Sequence, residues 1–346
     1  HPLSRRWGAL PNEVGQRRLA AAFGRPAMGS IRLFCFSGRR TTRAATRRGH
    51  PADADFALGR IESTGWASRR GRAPRAGLRS PKGLTPLSYP RLAKYLPRSV
   101  QVALFGDRLK HGPVANPDDG DWQRWRKLDL QFYDENQRDS AGAVVNTAGY
   151  RIMRKVPIAG LNVLEIGPGS LDHIAYWAGK PAQFIAVDIN EGFLQRAVER
   201  LDAHAVPYRT LINDPGGEAH IPVDDASIDL VLSFYSLEHL HPLDNYLSEI
   251  VRVLKPGGML AGAIPCEGGI GWGLGRYLTT RRWLLRHGIP DPGKIIAWEH
   301  PNFADRILTA VGERLAFSNL QFWPFRIRII DVNLVASFTA VKTRKA

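Results

Sequence analysis

A turn with two glycines and a preceding acid is the part of the sequence best suited to holding a ligand. Residues 162–177 read NVLEIGPGSLDHIAYW, in which a short apolar run leads to Glu165, and Gly167 and Gly169 follow. Glycines let the backbone pass close to a ligand, and the N–H groups of a helix that follows can bind it. Because glycine turns after strands are common, a purely structural turn is an open alternative for this stretch taken alone.

A carboxylate farther along the chain favours a cofactor with a ribose. The apolar run QFIAVDI at 183–189 contains Asp188 near its end, where a carboxylate can accept hydrogen bonds from both ribose hydroxyls. NAD and S-adenosylmethionine both present a ribose in such a place. A dinucleotide loop needs a third glycine, but the residue three positions after Gly169 is Asp172, whose carboxylate would face the pyrophosphate. Glu165 also disfavours a diphosphate and suits a sulfonium, so the residues favour S-adenosylmethionine over NAD.

Four segments in order resemble the class I S-adenosylmethionine-dependent methyltransferases. They are VLEIGPGS, FIAVDIN, IPVDDASIDLVLSFYSLEHL and EIVRVLKPGGML, and the resemblance extends over about residues 125–345. It is greatest to the small-molecule enzymes that carry the LPF-D-SFD-V and R-LKPGG segments. The resemblance implies a seven-stranded, mostly parallel Rossmann-like sheet with a C-terminal antiparallel hairpin. Leu171 stands where that family has its third glycine, which puts the fine geometry of the loop in question more than its ligand.

The resemblance also implies which residues contact the cofactor. Asp188 would bind the ribose, and Ile189 would pack on the adenine. For the acid that meets the adenine amino group, Asp214 is preferred over Glu218. The full set of predicted cofactor positions is Glu165, Gly167, Gly169, Asp188, Ile189, Asp214 and Ser233.

Methyl transfer to an oxygen or nitrogen can also require a base. Glu238 and His239 follow the predicted fourth strand, and His300 lies in the segment AWEHPNF, so these three are the candidate catalytic residues. A structural role for the histidines in packing or capping is an open alternative. No metal site is predicted, and the cysteines Cys35 and Cys266 are too few for a zinc site built from cysteine.

The pattern of apolar residues predicts a doubly wound α/β sheet from residue 161 onward. Helices are expected at 171–178, with Ser170 as its N-cap, at 191–204 and at 242–254, and two more within 121–156. The predicted strands are 161–167, 183–189, 207–213, 228–236, 258–265, 319–327 and 333–342. We divide the domain into a helical lead-in, a cofactor-binding core, a substrate-lid insertion and a final hairpin, at 89–160, 161–265, 266–315 and 316–346.

The charge of the chain is concentrated in its first hundred residues. That part holds 21 Lys and Arg against 4 Asp and Glu, whereas the rest holds 27 against 28. Residues 1–88 are therefore predicted to be a disordered, arginine-rich leader. Its open interpretations are a leader without function, a transit peptide, a lipid-binding arm and an arm that binds nucleic acid. Nucleic acid is thus a possible partner through this arm alone.

No apolar run approaches the roughly 18 to 20 residues of a membrane span, so a soluble, cytoplasmic protein is expected. The aromatic residues of the insertion suit a lid over a sugar, an aromatic ring or a lipid-linked acceptor. Alternatively, these aromatic residues form the core of a helical appendage. The expected activity is methylation of a small molecule, with O-methylation and a sugar or polysaccharide precursor favoured. The rival hypotheses are an RNA methyltransferase and a methyltransferase-like binding protein without activity. The sequence does not indicate an oligomeric state.

Overall fold

A computed structural model describes residues 89–138, 141–213 and 219–343 of the chain. The predicted leader at 1–88 lies outside the described residues, as do Asp214 and Glu218. Within the described part, none of the helices combines the length and the apolar character that a membrane span requires.

Seven strands form one mixed sheet in the order β3-β2-β1-β4-β5-β7-β6. Only β7 runs antiparallel to its neighbours, β5 and β6, so the predicted parallel sheet with a C-terminal hairpin is confirmed. The strands are β1 Asn162–Ile166, β2 Gln183–Asp188, β3 Tyr208–Ile212, β4 Ile228–Phe234, β5 Leu254–Pro265, β6 Ala316–Trp323 and β7 Val335–Val341.

Ten α-helices accompany the sheet within the described residues. Those that precede the sheet or cross over between its strands are α1 Arg98–Phe105, α2 Arg108–His111, α3 Gly120–Phe132, α4 Ala141–Tyr150, α5 Glu191–Ala203 and α6 Leu243–Val253. Those inserted between β5 and β6 are α7 Ile270–Leu278, α8 Thr280–Arg286, α9 Pro292–Glu299 and α10 Ala304–Arg314.

Both faces of the central strands are buried, because helices cover the sheet on each side. Strand β1 shows this most simply: Leu164 packs with α6 and α10 residues on one face, and Val163 packs with α5 residues on the other. Successive side chains of a strand point to opposite faces, so a continuous apolar run is what a doubly covered strand requires. The central strands were therefore predictable from short apolar runs alone.

The connection after β1 differs from the prediction. Instead of an α-helix at 171–178 capped by Ser170, the chain forms a short 3-10 helix at Asp172–Tyr176, and its N-cap residue is Leu171. Leu171 has a left-handed backbone with φ of 52°, a conformation that favours glycine. Its side chain is fully buried in the same core as Ile174 and Leu194. The loop thus keeps the backbone of a glycine while it uses a leucine for packing.

Replacing this leucine tests which of the two effects dominates. Leu171→Gly would relieve about 1–2 kcal/mol of left-handed strain, but it would lose a buried side chain worth about 2–5 kcal/mol. We expect a net loss of stability of about 1–3 kcal/mol in urea denaturation. Ala205→Gly is the matched control, since Ala205 has a φ of 49° and is exposed. That control should gain stability, and a gain in Leu171→Gly would contradict the packing argument.

Candidate functional site

The carboxyl ends of β1, β2 and β4 meet at one edge of the sheet, because β1 pairs in parallel with both of the others. Gly167 follows β1 there with φ of 67°, and its N–H donates to the Val187 carbonyl at 2.8 Å. A Cβ at this position would lie 2.7 Å from the Cβ of Ser236, a separation that nonbonded atoms do not reach. Only glycine fits this turn, which leaves the backbone of the loop open to a ligand.

Asp188 lies at the end of β2 on the same edge. Its Oδ1 accepts the N–H of Asn190 at 2.9 Å, and its carbonyl accepts the N–H of Asn213 at 2.9 Å. Burial raises the pKa of the Asp188 carboxyl to about 6, and the backbone hydrogen bonds only partly offset that rise. The neighbouring Ile189 side chain is 42% exposed, which is unusual for an isoleucine and leaves an apolar surface beside Asp188.

Glu165 is engaged inside the protein. Its carboxyl oxygens lie 2.8 and 3.0 Å from Nε2 of His173, and the indole N–H of Trp177 donates to Nδ1 of His173 at 2.9 Å. Since an indole nitrogen can only donate, Nδ1 is the acceptor and the proton of His173 resides on Nε2. His173 therefore donates to Glu165, a partner that was not predicted from the sequence.

Ser233 is also fully buried. The hydroxyl of Ser236 donates to the Ile166 carbonyl at 2.7 Å, so it accepts from the Ser233 hydroxyl, whose oxygen lies 2.5 Å away. Through this chain of two hydrogen bonds Ser233 supports the turn at Gly167. A direct contact of Ser233 with the cofactor stays a prediction.

Gly169 lies under Tyr133, whose hydroxyl oxygen would be 3.4 Å from a Cβ at that position. The same hydroxyl donates to Asp172 at 3.4 Å, and Arg200 donates to the other carboxylate oxygen of Asp172 at 3.0 Å. Tyr133 thus covers the glycine turn from the helical lead-in. The negative charge of Asp172 is therefore balanced by Arg200, which lies in α5.

The three candidate catalytic residues are brought together by the fold. Glu238, His239 and His300 each place one ligand-type atom within 4.8 Å of the others, and the two imidazole rings meet edge to face at 4.5 Å. We call these three residues the inner cluster. Asn302 ties the two loops that carry them, because its side chain donates to the carbonyls of Leu237 at 3.1 Å and Leu240 at 2.6 Å.

A carboxylate lies behind each histidine: Glu267, which is buried, and Glu299, which is 20% exposed. Glu299 lies 3.4 Å from Nδ1 of His239, and it also accepts the indole N–H of Trp125 at 2.5 Å. Glu267 lies 2.9 Å from Nδ1 of His300. Within the described residues neither Nε2 atom has a hydrogen-bond partner, so the Nε2 atoms are the free nitrogens of the inner cluster.

The charges of these groups depend on one another. Partial desolvation alone would lower the pKa of His239, whose side chain is 39% exposed, but its hydrogen bond with Glu299 and the charge of Glu238 raise it to about 9. Burial and the positive charge of Arg276 lower the pKa of His300 to about 3, so His300 is neutral. Burial raises the pKa of Glu238 to about 7, and its Oε2 is a buried oxygen without a hydrogen-bond partner.

Glu267 is fully buried and is held by four groups. Burial would raise the pKa of its carboxyl, but the charge of Arg276, with His300 and Arg108, holds that pKa well below its usual range. Arg276 and the indole N–H of Trp272, the latter at 2.8 Å, donate to the same carboxylate oxygen. These contacts were not predicted, since they join residues from α2, α7, the end of β5 and the turn after α9.

The aromatic residues of the insertion mostly form a core. Trp283 and Trp298 are buried in one cluster with Trp125, and Trp122 packs edge to face on Trp298 at 5.9 Å. The alternative of a helical core is therefore the better account of these tryptophans. Tyr277 differs, because its side chain is exposed.

Comparison with known proteins agrees with this geometry. The family described as a methyltransferase domain matches residues 164–262. Demethylmenaquinone methyltransferase of Thermobifida fusca is 26% identical over 205 residues, which are 53% of this chain and 85% of that protein. Phthiotriol/phenolphthiotriol dimycocerosates methyltransferase 1 of Mycobacterium ulcerans is 30% identical over 136 residues, 38% of this chain and 46% of that protein.

Among solved structures, the N-methyltransferase NodS of Bradyrhizobium japonicum in complex with S-adenosyl-L-homocysteine covers 65% of this chain and 100% of its own, with 16% identity and a TM-score of 0.45. The chain therefore contains a region similar to a methyltransferase domain, within the Rossmann-like sheet that the sequence predicted. The match supports S-adenosylmethionine as the cofactor and methyl transfer as the coarse activity.

The buried pair of Glu165 and His173 can be tested by stability. His173→Leu would leave the Glu165 carboxyl buried without its partner, which costs about 3–5 kcal/mol. His173→Gln keeps an N–H donor in a similar volume, so we expect it to lose less than half as much. Urea denaturation of the two variants beside the wild type measures the difference. Equal losses would show that the hydrogen bond contributes nothing beyond packing.

Proposed function

We propose that the protein transfers the methyl group of S-adenosylmethionine to a hydroxyl oxygen of a small molecule bound at the inner cluster. The observation that carries the proposal is the convergence of Glu238, His239 and His300, with a buried, unpartnered oxygen on Glu238. Such an oxygen is costly to bury unless a ligand completes its hydrogen bonds. A hydroxyl group supplies the missing donor, whereas a carbon acceptor does not.

The cofactor in this proposal lies along the edge formed by Gly167 and Asp188. The turn at Gly167 receives the methionine portion, Asp188 accepts the ribose hydroxyls, and Ile189 packs against the adenine. Glu238 and His239 follow β4, which pairs in parallel with β1, so the inner cluster begins at the same edge of the sheet as the turn at Gly167.

The reaction is an in-line displacement at an activated methyl group, which depends mainly on the positioning of the two reactants. The acceptor oxygen forms a bond to the methyl carbon while the carbon–sulfur bond breaks, and that electron pair returns to sulfur. The products are a methyl ether, S-adenosylhomocysteine and the proton of the hydroxyl. His239 keeps 39% of its side-chain exposure, so the inner cluster is open to an acceptor and to the proton's exit.

For the acceptor we favour a sugar or a polysaccharide precursor, because hydroxyl groups suit the polar groups that converge here. Beside His300, the Nη1 atom of Arg276 is a second buried atom without a partner and can donate to another oxygen of the acceptor. This combination of a buried donor and a buried acceptor selects a molecule with several hydroxyl groups.

A hydroxylated lipid is the second candidate. Exposed apolar side chains lie on α7 and α8, at Leu274, Tyr277, Leu278 and Leu285. The relatives are named for demethylmenaquinone and for phthiotriol dimycocerosates, and both groups of enzymes are methyltransferases. A surface of this kind can hold the apolar part of such an acceptor while its hydroxyl reaches the inner cluster.

The acceptor class is tested with methyl-labelled cofactor and a panel of sugars, phenols and hydroxylated lipids. We expect label in a sugar, and NMR of the product should show the methyl group on oxygen. Label only in the lipids would favour the second candidate. Label on carbon or nitrogen, or cofactor binding with no transfer to any acceptor, would contradict the proposal.

Glu238 is the residue whose loss should affect transfer most specifically. Glu238→Gln retains the size of the side chain but removes a carboxylate oxygen, so we expect kcat to fall about 10²–10⁴-fold. The Kd for S-adenosylmethionine, measured by calorimetry, should change less than about threefold. His220→Ala, at a side chain 63% exposed that pairs with Glu249, is the control and should retain full activity. An unchanged kcat in Glu238→Gln would exclude this residue from the reaction.

The raised pKa of Asp188 predicts how cofactor binding depends on pH. Ribose hydroxyls donate to the ionised carboxylate, so binding favours the form that predominates above the pKa of about 6. Affinity should rise as pH increases from about 5 to 7, a range below the titration of the cofactor's amino group. In Asp188→Asn this rise should disappear and the affinity at neutral pH should fall at least about tenfold. The same slope in the variant would assign it to another group.

A further inference from the structure

The inner cluster has the composition of a metal site. Two imidazoles and one carboxylate converge within 4.8 Å, a separation that allows all three to contact one ion. Two histidines and one carboxylate with open positions are a common ligand set for divalent first-row transition metals. We propose that Glu238, His239 and His300 bind such a divalent cation, and that this cation holds the acceptor hydroxyl. The inference deepens the proposed function and rests on it for the acceptor.

The surroundings of the histidines are those of metal ligands. A metal-bound histidine usually donates its other N–H to a carboxylate, which fixes the ring and strengthens its binding. Here both rings have such a partner at Nδ1, Glu299 for His239 and Glu267 for His300. Nδ1 of His300 lies 2.9 Å from Glu267 and 2.7 Å from Nη2 of Arg276, which can only donate. The metal-binding tautomer is the one with its proton on Nδ1, directed at Glu267, which leaves the Nε2 lone pair for a ligand.

The third proposed ligand, Glu238, lacks a hydrogen-bond partner for one of its oxygens. Glu238 is 1% exposed, and its Oε2 has no hydrogen-bond partner. Its position is fixed by the backbone, since the Asn302 N–H donates to the Glu238 carbonyl at 3.3 Å. A bound cation would supply the electrostatic partner that this oxygen lacks.

The balance of charge also leaves room for a cation. With both imidazoles neutral, as metal ligation requires, three carboxylates face two guanidinium groups. These are Glu238, Glu267, Glu299, Arg108 and Arg276. A divalent cation changes the net charge of this group from −1 to +1, and an ionised acceptor oxygen then brings it to zero. A cation that lowers the pKa of a bound hydroxyl is therefore suited to transfer to oxygen, with the proton released to solvent.

Cobalt(II) is the probe we would use, because its visible absorption reports the number and type of its ligands. Full-length protein without a polyhistidine tag is titrated with CoCl₂ and followed by absorbance and calorimetry. We expect one tight site per chain with the spectrum of a nitrogen- and oxygen-ligated ion. Glu238→Gln and His300→Ala should each weaken it at least about 100-fold, while His220→Ala should leave it unchanged.

Glu299, which contacts the ligand His239 without being a ligand itself, allows a second measurement in case His300→Ala fails to fold. Glu299→Gln keeps the ligands, so it should weaken cobalt binding by about 10–100-fold and shift the spectrum. No tight site, or one that survives Glu238→Gln, would overturn the metal proposal while transfer to a hydroxyl could still be observed. Conversely, a tight site in a protein that methylates no hydroxyl would refute the proposed function and leave the metal site standing. Transfer unaffected by removal of all divalent metal would exclude the cation from holding the acceptor.

Discussion

The arrangement of the site depends on one buried carboxylate. Glu267 follows β5 with no exposure to solvent, and an ion in that position is tolerated only where opposite charges and hydrogen bonds surround it. The partners come from separate elements: Arg108 from α2, Arg276 and Trp272 from α7, and His300 from the turn after α9. Satisfying Glu267 therefore fixes the lead-in and the insertion against the carboxyl edge of the sheet.

Two groups of residues lie at the carboxyl edge of the sheet, and they differ in how much they depend on this constraint. The glycine turn at Gly167 and the carboxylate of Asp188 come from the strands β1 and β2, and they need nothing from the insertion. The inner cluster needs both parts, because Glu238 and His239 follow β4 while His300 comes from the insertion. Under the proposed function, the cofactor residues therefore come from the sheet alone, whereas the acceptor residues also require the insertion.

The features that could be predicted from the sequence are those that short-range patterns determine. Apolar runs revealed the strands, and the turn at Gly167 was recognisable because its glycines and the later Asp188 have a fixed spacing. The helix expected after β1 was wrong, because nothing in the residue type of Leu171 announces a left-handed backbone. His239 and His300 were named as separate candidates, but their meeting depends on the buried network of Glu267, which has no periodic signal in the sequence.

The electrostatics of the two halves explain why an acid-rich cluster can lie beside a cationic cofactor. The sulfonium loses its positive charge as the methyl group leaves, so negative groups near it stabilise the reactant more than the products. Transfer is favoured if those negative groups are balanced by partners that remain in place throughout. Arg276 and Arg108 balance Glu267 permanently, and among the three carboxylates Glu238, Glu267 and Glu299 the buried oxygen without a partner is that of Glu238. In the proposed function, the hydroxyl of the acceptor supplies the donor that this oxygen lacks.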